Sequence, residues 1–423
     1  MRPHHLTLLL VLSSTLDYRF FGGVSGIMSF TLAEIASVLV LILSLGMLAK
    51  SHSSVLSIGQ IFRVARNNSM AFGYMAWITV VAFLTYNRSE IPLQTVKSFL
   101  SLFLLYLYII LTTLSDREIL SVLRVYLFGA IVQICLGFFQ VMLGWPRIVE
   151  LSTSAYFKMN LYGSLIDVRF IPTGMNAHPN GFAMFLLSPI ILLFGLLIEY
   201  RVRWAVRAVL AFMLCISLFV LWETQGKTVI VFTIIGMFLI ILPRMFDRLR
   251  LWITWIVLLV SIFAAIYLSL SQYEGKIFIK TMLSRLGLIE AAIAVFEEYP
   301  YVLLVGGGTD QMLTFSHLFS NMQYPSSHNT YIDQVLLFGL PALFLYLGMV
   351  VKNVENTEGL TTSSCSSVRP MCRKVSLLSL ILLLGVFFFE PALEFKSQMP
   401  FFFLCGLLTA MRHMENSASG GGC

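Results

Sequence analysis

Residues 180–198 read NGFAMFLLSPIILLFGLLI, without one ionisable side chain. A helix rises 1.5 Å per residue, so a run of about 20 apolar residues crosses the roughly 30 Å of bilayer hydrocarbon. Working outward, comparable runs occupy 3–21, 28–49, 69–86, 97–114, 120–144, 205–222, 228–243, 251–270, 332–351, 375–391 and 398–412. The rule of roughly 20 residues per span thus gives about twelve transmembrane helices. The composition agrees: 58% hydrophobic and 12% charged, with mean hydropathy +0.86. Soluble domains carry about 25% charge. The expected fold is an all-α polytopic membrane protein, one helical domain over 1–414 with a polar, Gly-rich, disordered tail at 415–423. The first run is interrupted by Asp17 and Arg19. Arg2 before Leu6–Leu12 resembles a secretory signal, but no small-residue cleavage site follows, so a retained span is expected.

The formal net charge of +7 is distributed unevenly. With the N-terminus inside, inner loops hold Lys50, Arg63, Arg66, Arg117, Arg201, Arg203, Arg207, Arg244, Arg248 and Arg250. Lys352, Arg369, Arg373 and Lys374 join them in the segment 352–374, whose Ser, Thr, Asn and Glu read as a linker. The short outer loops hold little beyond Arg88, Lys97, Lys227 and Lys396. That asymmetry follows the positive-inside rule, with both termini cytoplasmic. The cations form no stripe interleaved with aromatics, which argues against nucleic-acid binding. Cys135, Cys215 and Cys405 fall in spans and Cys365, Cys372 and Cys423 inside, so no disulfide is expected.

Two outer segments are long, 145–179 and 271–331. The second carries Lys276, Lys280, Arg285, Glu290, Glu297, Glu298, Asp310, His317 and His328 between two apolar spans. Within it Met282, Leu286, Ile289, Ile293 and Phe296 recur at helical spacing, predicting a surface helix over 279–299 with Arg285 on its inward stripe. Pro300 ends it, and Gly306-Gly307-Gly308 can bring backbone close to a ligand.

Three polar constellations stand at the outer surface. Ser327-His328-Asn329-Thr330-Tyr331 precedes the span at 332, with Asp333 a helical turn on. A histidine there can serve as a general base, or merely cap the helix. Thr224-Gln225-Gly226-Lys227-Thr228 joins two spans, and Lys227 is either functional or a snorkelling cation near Glu223. Arg169-Phe170-Ile171-Pro172-Thr173-Gly174-Met175-Asn176-Ala177-His178-Pro179-Asn180 enters the span at 180, which Asn180 can cap. Several cations and one base suit transfer chemistry with an anionic, phosphate-bearing leaving group. His178, His317 and His328 lack metal-ligand spacing, so neither a metal nor another cofactor is expected.

In this order the motifs resemble the O-antigen ligase/polymerase superfamily of bacterial envelope enzymes. Arg169…Thr173-Gly174…Pro179-Asn180 resembles its Arg, Gly and Pro-Asn cluster, and Gly226-Lys227 its Ser-Arg or Ser-Lys turn, with Gly226 replacing the serine. Arg285…Pro300…Gly306-Gly307-Gly308 resembles its Arg…Pro…Gly-x-Gly stretch. His328-Asn329-Thr330-Tyr331 with Gly339-Leu340 resembles its His-Asn-x-Tyr…Gly-Leu signature. The resemblance implies a bacterial inner-membrane glycosyltransferase acting on an undecaprenyl-pyrophosphate-linked saccharide at the periplasmic face. His328 and Arg285 would be catalytic. Lys227, Arg169, Asn180, Asn329 and Tyr331 would bind pyrophosphate and saccharide. A flippase and a chain-length regulator are the partners it implies besides membrane lipids. Lys227 resembles the exopolysaccharide polymerase branch; a ligase moving polymer to lipid A core is the alternative. A lipid-linked saccharide transporter is the reading from another class.

Overall fold

The computed structural model describes residues 3–16, 31–50, 58–85, 91–143, 156–159, 165–169, 171–175, 179–199, 203–242, 275–308, 327, 329–354, 368–390 and 395–419. A helix stands at every predicted span except 251–270, which lies outside the described residues. In chain order these are α1 (Pro3–Thr15), α2 (Leu32–Lys50), α3 (Ile58–Asn67), α4 (Ser69–Leu84), α5 (Ile91–Thr112) and α6 (Asp116–Leu143). Then come α7 (Pro179–Glu199), α8 (Trp204–Glu223), α9 (Lys227–Ile241), α10 (Gly275–Glu298) and α11 (Val302–Val305). The last are α12 (Thr330–Val354), α13 (Val368–Phe387) and α14 (Phe395–Ser419). Among the described residues, 5 helices are long and apolar enough to cross a membrane: α6, α7, α8, α12 and α13. The protein is a helical membrane protein.

Which helices are central follows from their surroundings. The α7 span is 83% buried, because α6, α8, α9, α13 and α14 all pack on it. The α8 span is 22% buried and leaves Phe212 and Trp222 exposed. In lipid such exposure carries no penalty, since the tails are as apolar as the side chains. In the core, Tyr126 stacks on Phe403 with centroids 4.0 Å apart, and Tyr346 on Phe401 at 4.3 Å. Two buried tyrosine hydroxyls find side-chain acceptors, Tyr74 on Gln334 at 3.0 Å and Tyr346 on Gln398 at 3.2 Å.

The glycine run seats one stretch of backbone against another. Helix α12 is broken at Gly339 (φ 79°), and Pro341 removes the donor that the Leu337 carbonyl would otherwise meet. The loop after α11 fits into that break. Gly307 N–H donates to the Leu336 carbonyl at 2.7 Å, and Trp77 Nε1–H to the Phe338 carbonyl at 2.7 Å. A Cβ on Gly306 would lie 2.3 Å from Leu337 O, and one on Gly339 2.4 Å from Leu304 O. Gly306 and Gly339 admit one stretch of backbone to another, and Gly308 lies against the Thr85 side chain.

Other expectations shift as well. Helix α10 forms and packs against α11 and α12, but its buried face is Leu288, Ala291, Ala292 and Val295. Ile293, on the predicted inward stripe, is 49% exposed. Small alanines allow close helix approach, and a large aliphatic residue tolerates the apolar exterior. The all-α expectation has one departure among the described residues. An antiparallel hairpin pairs β1 (Tyr156–Met159) with β2 (Leu165–Arg169), inside the long segment 145–179. Helix α13 begins at Val368, so the end of the expected linker is helical, and Arg369 Nε pairs with Asp116 at 2.7 Å. Helix α14 runs on to Ser419, so the first part of the expected disordered tail continues the helix.

Candidate functional site

The turn Thr224-Gln225-Gly226 is tight: Gln225 has φ 58°, and Lys227 N–H donates to the Gln225 carbonyl at 2.8 Å. A Cβ on Gly226 would lie 2.7 Å from the Ala183 Cβ. The turn is pressed onto α7, which accounts for glycine at position 226. Lys227 is then the first residue of α9 and is exposed, and Thr228 faces the neighbouring helices half-buried.

The segment entering α7 is anchored from α6. Gln140 Oε1 accepts Thr173 N–H at 3.0 Å and Gly174 N–H at 2.9 Å, and Gln133 Oε1 accepts Met175 N–H at 2.8 Å. Both glutamines are buried, so their bonds to backbone satisfy otherwise costly groups. Asn180, at the start of α7, is half-buried.

The segment entering α12 is fixed on both sides of position 328. Ser327, 1% exposed, donates through its N–H and its Oγ to Asp333 Oδ1, each at 2.7 Å. Asn329 Oδ1 caps α12 by accepting Tyr331 N–H at 3.0 Å and Ile332 N–H at 3.1 Å. Asn329 Nδ2 donates to the Phe388 carbonyl at 3.1 Å, and Tyr331 OH to the Leu384 carbonyl at 2.8 Å. Both side chains therefore clamp α12 to the end of α13.

Glu390 ties the three segments together. It follows α13 and is 4% exposed. Its Oε2 accepts Asn180 Nδ2 at 3.1 Å, its Oε1 accepts Thr228 Oγ1 at 3.5 Å, and its carbonyl accepts Thr330 Oγ1 at 2.7 Å. The N-termini of α7 and α9 thus meet on one buried carboxylate, and that of α12 on the main-chain carbonyl of the same residue. Helix N-termini carry partial positive charge, which favours an anion there. Lys227 adds a full cation at the rim.

Of the residues expected at the site, Asn180, Asn329, Tyr331 and the Lys227 turn meet around Glu390 and the end of α13. Asn180 bonds Glu390, beyond the capping role its position offered. Arg285 lies on α10 and Arg169 ends β2, with their side chains outside the described residues. His328 itself lies outside the described residues. Glu390 is the residue that the sequence reading missed. Its signal was a single carboxylate closing the otherwise uncharged run 375–391. No protein-family model matches the chain, and no curated protein matches it either.

Proposed function

We propose that the protein extends a bacterial polysaccharide, transferring undecaprenyl-pyrophosphate-linked glycan at the periplasmic face of the inner membrane. The topology in this proposal is about twelve spans with both termini cytoplasmic and a long periplasmic loop before α12, from the apolar runs and the positive-inside charge. One observation carries the proposal: three segments far apart in sequence, each with a motif resembling the same family, meet on Glu390.

In the proposed reaction a hydroxyl of the lipid-linked acceptor repeat attacks the anomeric carbon of the donor chain. His328 takes the hydroxyl proton as the new glycosidic C–O bond forms. The bond from the anomeric carbon to pyrophosphate breaks, with inversion, and undecaprenyl pyrophosphate leaves with the bonding pair. Arg285 and Lys227 stabilise that leaving charge, and Arg169 assists; cations preorganised where charge develops lower the barrier most. Asn180, Asn329 and Tyr331 act by holding the helix ends in register, since their polar atoms bond Glu390 and the α13 carbonyls. The absence of metal-ligand spacing among the outer histidines supports a metal-independent step. Polymerase is preferred to ligase on the Lys227 resemblance. A transporter is disfavoured because transport sites gather near the bilayer midplane, whereas these polar groups lie at helix ends.

Arg285→Ala is expected to abolish polymer in cells while the protein still inserts at wild-type level. Wild-type polymer yield from that variant overturns the assignment.

A further inference from the structure

Helix α3 lies at the end of the molecule opposite Glu390. Lys352 Nζ donates to the carbonyl of Asn67, the last residue of α3. Along α12, Lys352 stands about 33 Å of helical rise from Thr330, whose hydroxyl bonds the Glu390 carbonyl. That distance is close to the roughly 30 Å of bilayer hydrocarbon, so α3 stands at the opposite membrane boundary.

A fixed corner sets the direction of this helix. Asn68 has φ −121° and ψ 38°, outside the helical range, so the chain turns between α3 and α4. Asn68 is buried, and both helices share its polar groups. Its Nδ2 donates to the Val64 carbonyl at 2.9 Å, and its own carbonyl accepts Ala71 N–H at 3.0 Å and Phe72 N–H at 3.3 Å. From α5, Tyr106 OH donates to Asn68 Oδ1 at 3.1 Å. The corner turns α3 off the axis of α4 and holds it there.

The helix so held presents a mixed face outward. Val64 packs on the core and, like Ala65, is half-buried. Phe62 precedes Val64 by two residues, about 200° around the helix, and is 71% exposed. Arg66, one turn from Phe62 on the same face, and Arg63 beside it are exposed. The segment Ile58–Asn67 carries these two arginines and no acid. An exposed aromatic ring between arginines suits the headgroup layer of a membrane. There the ring enters the acyl boundary while the guanidinium groups reach the phosphates.

We propose that the outward face of α3 docks on anionic phospholipids of the leaflet opposite the Glu390 end. Phe62 enters the boundary between headgroups and acyl chains, and Arg63 and Arg66 take lipid phosphates. Charge complementarity selects this occupant, because two cations and an aromatic ring on one helix at a membrane boundary match an anionic headgroup surface. Through the Asn68 corner, docked α3 ties α4 and α5 to that surface. The proposal depends on the membrane setting alone and not on the chemistry assigned to the Glu390 end.

The full chain is reconstituted in nanodiscs of phosphatidylcholine alone and of equal phosphatidylcholine and phosphatidylglycerol, and amide hydrogen exchange is followed across Ile58–Asn67. A basic side chain near an anionic surface is worth about fivefold in an equilibrium constant, so two predict exchange about 25-fold slower with phosphatidylglycerol. The double variant Arg63→Gln, Arg66→Gln is expected to exchange equally in the two lipids. Benzoylphenylalanine placed at position 62 is expected to crosslink to lipid on irradiation. Equal exchange of the wild type in the two lipids overturns the proposal whatever the variants do. An undiminished difference in the folded double variant overturns it as well. Crosslinking from position 62 to protein instead of lipid overturns it in favour of a protein partner.

Discussion

The two ends of α12 handle charge in opposite ways. At Thr330 a buried carboxylate gathers uncharged donors from α7 and α9, and the described cation, Lys227, stands exposed at the rim. At Lys352 the polar side chains bond one another as neutral groups, Tyr106 OH donating to Asn68 Oδ1 and Thr409 Oγ1 to Asn353 Oδ1. The first arrangement is closed: Glu390 makes the helix ends a single unit, suited to presenting reactive groups in fixed geometry. The second is held by bonds to backbone and between neutral side chains, with Arg412 Nη1 donating to the Lys352 carbonyl at 3.2 Å. A buried charge with several partners fixes the elements around it.

The largest effect that sharpens this contrast is expected at position 328. His328→Ala should lower polymer formation by at least about 10²-fold, the scale of losing a catalytic acid–base group, with no change in thermal stability. A stability loss with unchanged chemistry would assign that position to the structural frame.

Glu390 is next. Glu390→Leu leaves Asn180 and Thr228 without their acceptor, and should destabilise the detergent-solubilised protein by about 1–3 kcal/mol in thermal unfolding. Glu390→Gln keeps shape and most hydrogen bonding but removes the charge. If the closed end works by positioning, the glutamine variant should lose about tenfold in polymer formation while its melting point stays near wild type.

The glycine seat between these ends gives an internal control. Gly306→Ala demands a side chain at φ 76° with its Cβ 2.3 Å from Leu337 O, and should cost about 1–3 kcal/mol from backbone strain alone. Gly287, on α10, meets nothing within 4 Å, and Gly287→Ala should stabilise by about 0.5–1 kcal/mol. Equal effects in thermal unfolding would break the account of the α12 kink. The smallest effect is expected from Asp116→Asn, whose partner Arg369 is 26% exposed; a half-exposed pair contributes less than about 1 kcal/mol.

The helices were legible because a bilayer imposes length and apolarity on each span, and hydropathy reports both. Hydropathy fails to report facing, and the α10 stripe shows why. Ile293 and Leu288 are alike in a scale, yet one faces outward and the other the protein, because lipid and core are equally apolar. Three segments of the candidate site were visible as polar clusters at span ends. Their meeting point was not, since Glu390 lies at the end of an otherwise uncharged run and its partners are 162 and 210 residues away. Gly306-Gly307-Gly308 was visible as a place of close approach, but what approaches is the broken backbone of α12, which only the fold supplies.

The central claim is that the Glu390 end supports glycan extension. Purified wild-type protein in lipid, given undecaprenyl-pyrophosphate-linked repeat units, should lengthen the glycan and release undecaprenyl pyrophosphate for each repeat added, and His328→Ala should do neither. Failure of the folded wild type to lengthen the glycan, or equal lengthening by His328→Ala, would contradict it.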